Sequence, residues 1–318
     1  MERALSFEDV RRAWDAKDGD LADLIVALAE QPDASPGEDE APPREGALTL
    51  DAFTAEIRSA AFRRKTREEQ RHYRVESFKA LEAPGAEAEL RDRMRLDRIL
   101  LELWASDGAF ERDTLLRIFE KIPLGWGAWR ALKRIFKEAE VRGDWEAQGA
   151  LAARFDAALS RGGQYHQEIS RKTLAYLARR AWRNLRRCAE TLPAAYADAA
   201  ASVLRFYDED ETRWTGTWVY NHIVFHETKK YTRRRFKLDR RTQSLTQYRA
   251  YAELWRRTPR PLFTLLERAR SDQARSFAVA ALKTDFRAQL RDVEPAWAAR
   301  LVAVASSAVD EFVIWLLA

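Results

Sequence analysis

The chain has 318 residues, of which 46% are hydrophobic and 33% charged, so it can bury a large core and lacks the composition of a disordered protein. Its single cysteine excludes an internal disulfide and a cysteine-based zinc site, and no apolar run reaches the roughly 20 residues of a membrane span. We therefore expect a cytoplasmic protein with no membrane partner. The net charge is +5, but residues 1–50 carry −8 and residues 161–270 carry +13, which indicates a polyanion-binding surface in the latter range.

The first predicted elements are a helical pair over residues 1–31. Ser6 and Asp9 have the spacing of a capping box, and apolar residues recur after them at helical intervals. A second helix is predicted from Leu21 to Glu30. Residues 32–47 are rich in proline and acidic side chains, which predicts a flexible acidic loop.

Helical periodicity dominates the rest of the chain. We divide it into a first helical array over residues 48–160 and a basic helical-repeat array over residues 161–318. Alternating runs of β-branched residues are missing beyond a short piece, so the predicted fold class is all-α. Two apolar faces mark the first array: Leu96, Ile99, Leu100, Leu103 and Trp104, then Leu115, Ile118, Phe119 and Ile122.

An internal repeat lies near the end of the chain. Residues 271–282 match residues 306–317 at a constant offset of 35, which pairs Ser271 with Ser306 and Phe277 with Phe312. Two helices per period of this length predict a solenoid of the HEAT or armadillo type. The last residues, VIWLLA, are apolar. We therefore expect either other protein subunits to cover this end or, as we favour, the natural protein to continue.

Three stretches carry a family resemblance. LGWGAWRALKRIFKEAEVRGD (124–144), TLAYLARRAWRNLRR (173–187) and VDEFVIWLL (309–317) resemble the helical-repeat region of large bacterial proteins with a WGR domain, the molybdate-metabolism-regulator-like group. The resemblance covers about residues 95–318 and implies a HEAT-like fold without implying any catalytic residue. The Trp-Gly-Arg triplet itself is missing, because Ala128 follows Gly127, so the nucleic-acid role of WGR domains does not transfer.

Arginines line one face of the helix predicted from Ser170 to Cys188, opposite a face of leucines and alanines. Like charges at this spacing repel by roughly a few tenths of a kcal/mol per pair, so an anionic partner is expected, and it could be an acidic helix of the same protein. This arginine stripe consists of Arg179, Arg180, Arg183, Arg186 and Arg187.

A second concentration of positive charge, the basic arm, covers residues 229–241 and is predicted to form either about two helical repeats or one extended arm. Arginine binds phosphate through two parallel hydrogen bonds, and the arm's two aromatic residues are expected either to stack on bases or to anchor the arm to the core. The cations are Lys229, Lys230, Arg233, Arg234, Arg235, Lys237, Arg240 and Arg241, and the aromatic residues are Tyr231 and Phe236.

Two acidic segments offer alternative partners for this charge. Residues 208–211 form an acidic cluster just upstream of the arm, and the loop at residues 32–47 could fold back over it as an autoinhibitory mimic of nucleic acid. The basic residues could also form no more than a solvated face.

Catalytic motifs give little support for an enzyme. His222 and His226 have metal-ligand spacing, but Ile223 stands where a zinc protease needs its glutamate, so packing and hydrogen bonding are the favoured interpretation. We predict no metal and no cofactor.

The sequence favours a non-enzymatic helical scaffold that binds DNA or RNA through phosphates, within a larger bacterial complex that processes or defends against foreign nucleic acid. The alternative is a protein–protein adaptor whose basic surface receives an acidic partner.

Overall fold

The computed structural model describes residues 4–31, 47–83, 88–162, 168–233, 235–239 and 246–317. Within these ranges the regular structure is helical, and the β pairing they contain is a single isolated bridge, so the predicted all-α class is confirmed. The predicted acidic loop lies almost entirely outside the described residues. None of the described helices has the length and apolar character needed to cross a bilayer.

The α-helices divide between two compact units, residues 1–134 and 135–318, with the boundary inside α9. The predicted boundary between residues 160 and 161 therefore lies within the second unit. The helices are Phe7–Asp15 (α1), Leu21–Glu30 (α2), Leu50–Arg58 (α3), Ala60–Arg64 (α4), Arg67–Leu81 (α5), Ala88–Met94 (α6), Leu96–Ser106 (α7), Ala109–Lys121 (α8), Trp126–Arg142 (α9), Trp145–Arg161 (α10), Arg171–Thr191 (α11), Tyr196–Leu204 (α12), Val219–Phe225 (α13), Ala252–Trp255 (α14), Arg260–Arg268 (α15), Asp272–Asp285 (α16), Pro295–Val302 (α17) and Ser307–Leu317 (α18).

In the first unit, the sequence patterns identified the helix ends and faces well. Ser6 and Asp9 form the predicted capping box, with the Ser6 backbone N–H donating to Asp9 Oδ2 at 3.0 Å. The predicted apolar faces of α7 and α8 are buried. A further cluster joins Phe53 of α3 to Leu81 of α5 and to Met94 of α6, with Trp126 packed against it.

In the second unit, α10 packs against both α11 and α12. Ser170 caps α11 as predicted, its Oγ accepting from the Thr173 N–H at 3.3 Å. The leucines and alanines that the periodicity assigned to one face of α11 are buried, which turns the arginine stripe away from the core.

The segments related by the offset of 35 residues form two similar helix pairs, α15 with α16 and α17 with α18. Ser271 and Ser306 hold equivalent positions, because each Oγ accepts a backbone N–H three residues later at 3.3 Å. Phe277 and Phe312 are both buried at the same place in their pairs. The match ends in the last turn, where Leu282 is buried and Leu317 is 76% exposed.

Candidate nucleic-acid interface

The described part of the basic arm is a tight antiparallel turn, which is the extended alternative and not the helical one. The Lys237 N–H donates to the Lys230 carbonyl at 2.7 Å, and the Thr232 N–H donates to the Arg235 carbonyl at 2.8 Å. Tyr231 and Phe236 form the bridge between the two sides. Lys229 has a φ of 53° and ends the short helical turn before the arm. Arg234, Arg240 and Arg241 lie outside the described residues.

Aromatic contacts fix this turn to the second unit. Phe236 is only 5% exposed, and its ring lies 4.7 Å from that of His222 and 6.0 Å from that of Trp218. Tyr231 stacks on His226 with ring centroids 5.5 Å apart and stays partly exposed. Of the two roles expected for the aromatic residues, Phe236 therefore takes the anchoring one, and burial keeps it from stacking on a base.

The two histidines predicted to share a helical face lie at the centre of this aromatic cluster, which comprises Trp182, Trp218, His222, His226, Tyr231 and Phe236. Their Nδ1 atoms are 2.8 Å apart, so one imidazole donates to the other. Burial, the neighbouring His226 and Arg186 lower the pKa of His222 to about 3, and burial also lowers the pKa of His226. Among the described residues, no group of three or more His, Cys, Asp or Glu side chains could hold a metal ion.

Asp156 of α10 positions the helix that carries the histidines. Its carboxylate accepts backbone N–H groups from Trp218 and Val219 at 2.7 Å and from Tyr220 at 3.3 Å, all at the start of α13. The Tyr207 hydroxyl donates to the same carboxylate at 2.7 Å. Complete burial raises the pKa of Asp156 to about 6 in spite of these hydrogen bonds. Sequence analysis missed this residue, although a single acid in the apolar stretch LAARFDAAL is a signal that could have identified it.

The arginine stripe is largely occupied by contacts within the second unit. Arg180 donates through Nε to Glu140 at 2.6 Å, and Arg187 donates to the same carboxylate at 3.3 Å. Arg186 lies 3.8 Å from Glu190 in an exposed pair one helical turn apart. These contacts correspond to the expected alternative of an acidic helix of the same protein, with α9 supplying one carboxylate that Arg180 and Arg187 share.

Arg179 connects the stripe to the arm. Its guanidinium donates to the Arg233 carbonyl at 3.2 Å and lies 5.7 Å from the centre of the Trp218 ring. The two basic segments predicted separately from the sequence therefore meet at one place. Arg183, one turn further along α11, lies 6.0 Å from the Tyr176 ring.

The charge that remains uncompensated is concentrated on the arm. Lys230 forms an ion pair with Asp239 at 2.8 Å. Six other cations of the two segments make no ion pair within the described ranges: Arg179, Arg183, Lys229, Arg233, Arg235 and Lys237. All of these residues except Arg179 are exposed.

The acidic cluster at residues 208–211 does not neutralise these cations within the described part of the chain. Glu211 binds Arg154 and lies 3.8 Å from Arg161. Glu209 accepts from the Trp214 indole N–H at 3.2 Å, and Asp208 accepts backbone N–H groups of its own loop. The cluster thus stabilises its own loop and α10.

Comparison with family models, with curated proteins and with solved structures gives no match to this chain. The chemistry of the exposed surface is therefore the basis for a functional proposal.

Proposed function

We propose that this protein is a non-enzymatic, nucleic-acid-binding helical scaffold that holds phosphate groups on the basic arm. The observation that carries the proposal is the set of five exposed cations, Arg183, Lys229, Arg233, Arg235 and Lys237, without an ion-pair partner among the described residues. Arg179 extends the set, because it joins α11 to the turn of the arm.

Phosphate is the anion that suits this arrangement. Arginine and lysine bind phosphate oxygens with charge-assisted hydrogen bonds, and each contact releases a counterion from the nucleic acid. If all five cations contact phosphates, the affinity for duplex DNA should fall with salt with a log–log slope of about −4 to −5. Such binding is sequence-independent, with a dissociation constant of about 1–100 µM at physiological salt.

The anchoring of the arm favours this function over a merely solvated face. A flexible basic segment loses conformational entropy when it binds, whereas the buried Phe236 and the stacked Tyr231 hold this one in place beforehand. The partly exposed edge of Tyr231 also offers a surface for stacking on a base.

The larger setting that we propose is a HEAT-like solenoid inside a bacterial assembly that processes or defends against foreign nucleic acid. The similarity of the pairs α15–α16 and α17–α18 supports a repeat architecture. The resemblance to the helical-repeat region of WGR-domain proteins supports the bacterial setting.

The test is binding of a labelled DNA duplex, a single strand and an RNA of equal length, from about 50 to 300 mM salt, where counterion release changes affinity strongly. We expect the Arg233→Glu, Arg235→Glu, Lys237→Glu triple variant to lose binding at all salt concentrations, with unchanged helicity by circular dichroism. A matched control reverses Arg287, Arg291 and Arg300, which are equally exposed and lie outside both basic segments. This control changes the net charge equally and should retain binding.

Equal loss in both triple variants would attribute binding to net charge and contradict a site on the arm. No binding to any of the three nucleic acids at low salt would overturn the proposal. The protein would then be better described as an adaptor, in which the same cations recognise one acidic protein with a saturable affinity.

A further inference from the structure

The first unit contains a cavity of about 430 Å³ that no part of the proposed function uses. Its volume falls within the range of small-molecule sites. Phe78 of α5, Met94 of α6, and Trp126 and Trp129 of α9 form its apolar walls. The cavity therefore offers a largely aromatic surface for a ligand.

Contacts behind the walls hold the rings in position. Trp126 packs edge-on against Phe53 at 5.5 Å and against Phe78 at 5.8 Å between ring centroids. Phe53 is completely buried. Since the aromatic walls rest on the core of the first unit, the surface exists before a ligand arrives and costs little reorganisation on binding.

One buried carboxylate in the lining lacks a hydrogen bond on one of its oxygens. Asp97 of α7 is 3% exposed, and its Oδ2 accepts from Arg130 Nε. Its Oδ1 has no hydrogen-bond partner within the described part of the chain. A buried acceptor without a donor is costly, so Asp97 is suited to accept an N–H group from a ligand in the cavity.

The net charge of the lining residues indicates which ligand charge the cavity favours. Four cations, Arg74, Lys79, Arg130 and Lys133, and two carboxylates, Glu82 and Asp97, belong to the lining, which gives a net charge of +2. Arg130 is engaged by both carboxylates. Among the described residues, Lys79 pairs only with Glu76, in an exposed contact of 2.8 Å, a kind of pair that contributes little stability. A cationic ligand is therefore disfavoured, although an aromatic cavity could otherwise suit one.

We propose that this cavity binds a purine nucleotide. The base would stack against the aromatic walls, an N–H group of the base would donate to Asp97, and the phosphate would lie near Lys79, Arg74 and Lys133. A purine fits better than a pyrimidine because its two fused rings bury more area against aromatic side chains. The same chemistry is presented by a free nucleotide and by the terminal nucleotide of a strand, and the test separates these sources.

The experiment is isothermal titration calorimetry of the full chain with AMP, GMP, CMP, UMP and choline. We expect AMP or GMP to bind with a dissociation constant on the order of 10–100 µM and the pyrimidine nucleotides to bind more weakly. AMP carrying two methyl groups on its exocyclic amine cannot donate from that nitrogen. If adenine is the base, we expect the methylated AMP to bind about tenfold more weakly than AMP.

Variants locate the site. Asp97→Asn can keep its contact with Arg130 but presents an amide N–H₂ in place of an acceptor, and we expect at least about tenfold weaker binding. Val75 is 45% exposed at the cavity, so substitutions there should leave the fold intact. Val75→Glu should weaken AMP binding by repelling the phosphate, whereas Val75→Lys, the control of similar size, should not.

The triple variant Arg233→Glu, Arg235→Glu, Lys237→Glu tests the cavity independently of nucleic-acid binding by the arm. It also distinguishes a free nucleotide from the end of a strand as the ligand. It should bind AMP as the wild type does, even if it has lost nucleic acid. If a single-stranded oligonucleotide competes with AMP in that variant, the source is a strand terminus; if it does not, the source is a free nucleotide. The proposal is overturned if neither AMP nor GMP binds at about 1 mM, far above the expected constant. Tighter binding of choline, or binding insensitive to both Asp97→Asn and Val75→Glu, would also overturn it.

Discussion

On α11, Arg180 and Arg187 share the carboxylate of Glu140, whereas on the arm Arg235 and Lys237 meet no carboxylate among the described residues. The surroundings explain the difference. The stripe runs along a helix whose neighbour α9 brings an acid to it, while the arm is a turn held from beneath by aromatic rings. A dense run of basic residues in a sequence thus identifies the cations but not their partners. An external polyanion can bind best those cations that the folded chain does not pair with a carboxylate.

The largest effect is expected when Asp156 is removed, because this residue holds the start of α13, the helix that carries His222 beneath the arm. Asp156→Ala should lower the free energy of unfolding by about 3 kcal/mol or more, because three backbone N–H groups, two of them buried, and the Tyr207 hydroxyl lose their acceptor. Urea denaturation measures the loss. Asp156→Asn retains one acceptor oxygen and should cost less. Wild-type stability in the alanine variant would show that α13 does not depend on this carboxylate.

A smaller difference in stability is expected between variants of Glu140 and Glu190, the two acids that pair with arginines of the stripe. Glu140→Gln should lower the free energy of unfolding by about 2 kcal/mol, because Glu140 is mostly buried and carries hydrogen bonds to two guanidinium groups. Glu190→Gln is the matched control: its pair with Arg186 is exposed and 3.8 Å long, and should contribute less than about 0.5 kcal/mol. Equal midpoints in urea for the two variants would contradict the distinction between a mostly buried acid that holds two arginines of the stripe and an exposed pair on the same helix.

The arm, unlike the stripe, should respond to mild acid through His222. The pKa of this imidazole falls from its ordinary value of 6.5 to about 3 on folding, so between these pH values the unfolded chain binds a proton that the folded chain does not. Stability should therefore decrease as the pH falls through this window, by about 1 kcal/mol between pH 7 and pH 5.5. His226, Tyr231 and Arg186 surround the imidazole, and none of them supplies an anion at these pH values.

The measurement is the difference in unfolding free energy between wild type and His222→Phe, taken at both pH values. Asp156, whose pKa is raised on folding, changes stability with pH in the opposite direction, but it is present in both proteins and its contribution cancels. Phenylalanine keeps a ring in the cluster but cannot take up a proton, so the difference should change by the stated amount. The exposed His72 provides the control, since His72→Gln should leave the pH dependence as it is in the wild type. A pH-independent difference for His222→Phe would mean that the folded protein protonates His222 normally.

The elements and their faces were predictable because they depend on local patterns. The Ser170 cap, the buried leucines of α11 and the equivalent serines at 271 and 306 all follow from spacing within one or two turns of helix. The pairing of charges was not predictable, because it depends on which helices become neighbours. Glu140 meets Arg180 across 40 residues, and Asp156 reaches the backbone of Trp218 across 62. Periodicity specifies which face of a helix is buried but not the partner that covers it.

The smallest expected effect comes from removing one positive charge from the arm or one from the stripe. Lys237→Ala and Arg187→Ala each remove one exposed basic residue, but only Arg187 is bound to a buried carboxylate. If the arm binds phosphates, Lys237→Ala should reduce the magnitude of the salt slope for duplex DNA by about 0.9 and change stability by less than about 0.5 kcal/mol. Arg187→Ala should reduce the slope by clearly less, because Arg187 is held by Glu140, whose single negative charge it shares with Arg180. An equal reduction in both variants would show that Glu140 releases Arg187 to the nucleic acid, and the stripe would then belong to the interface together with the arm.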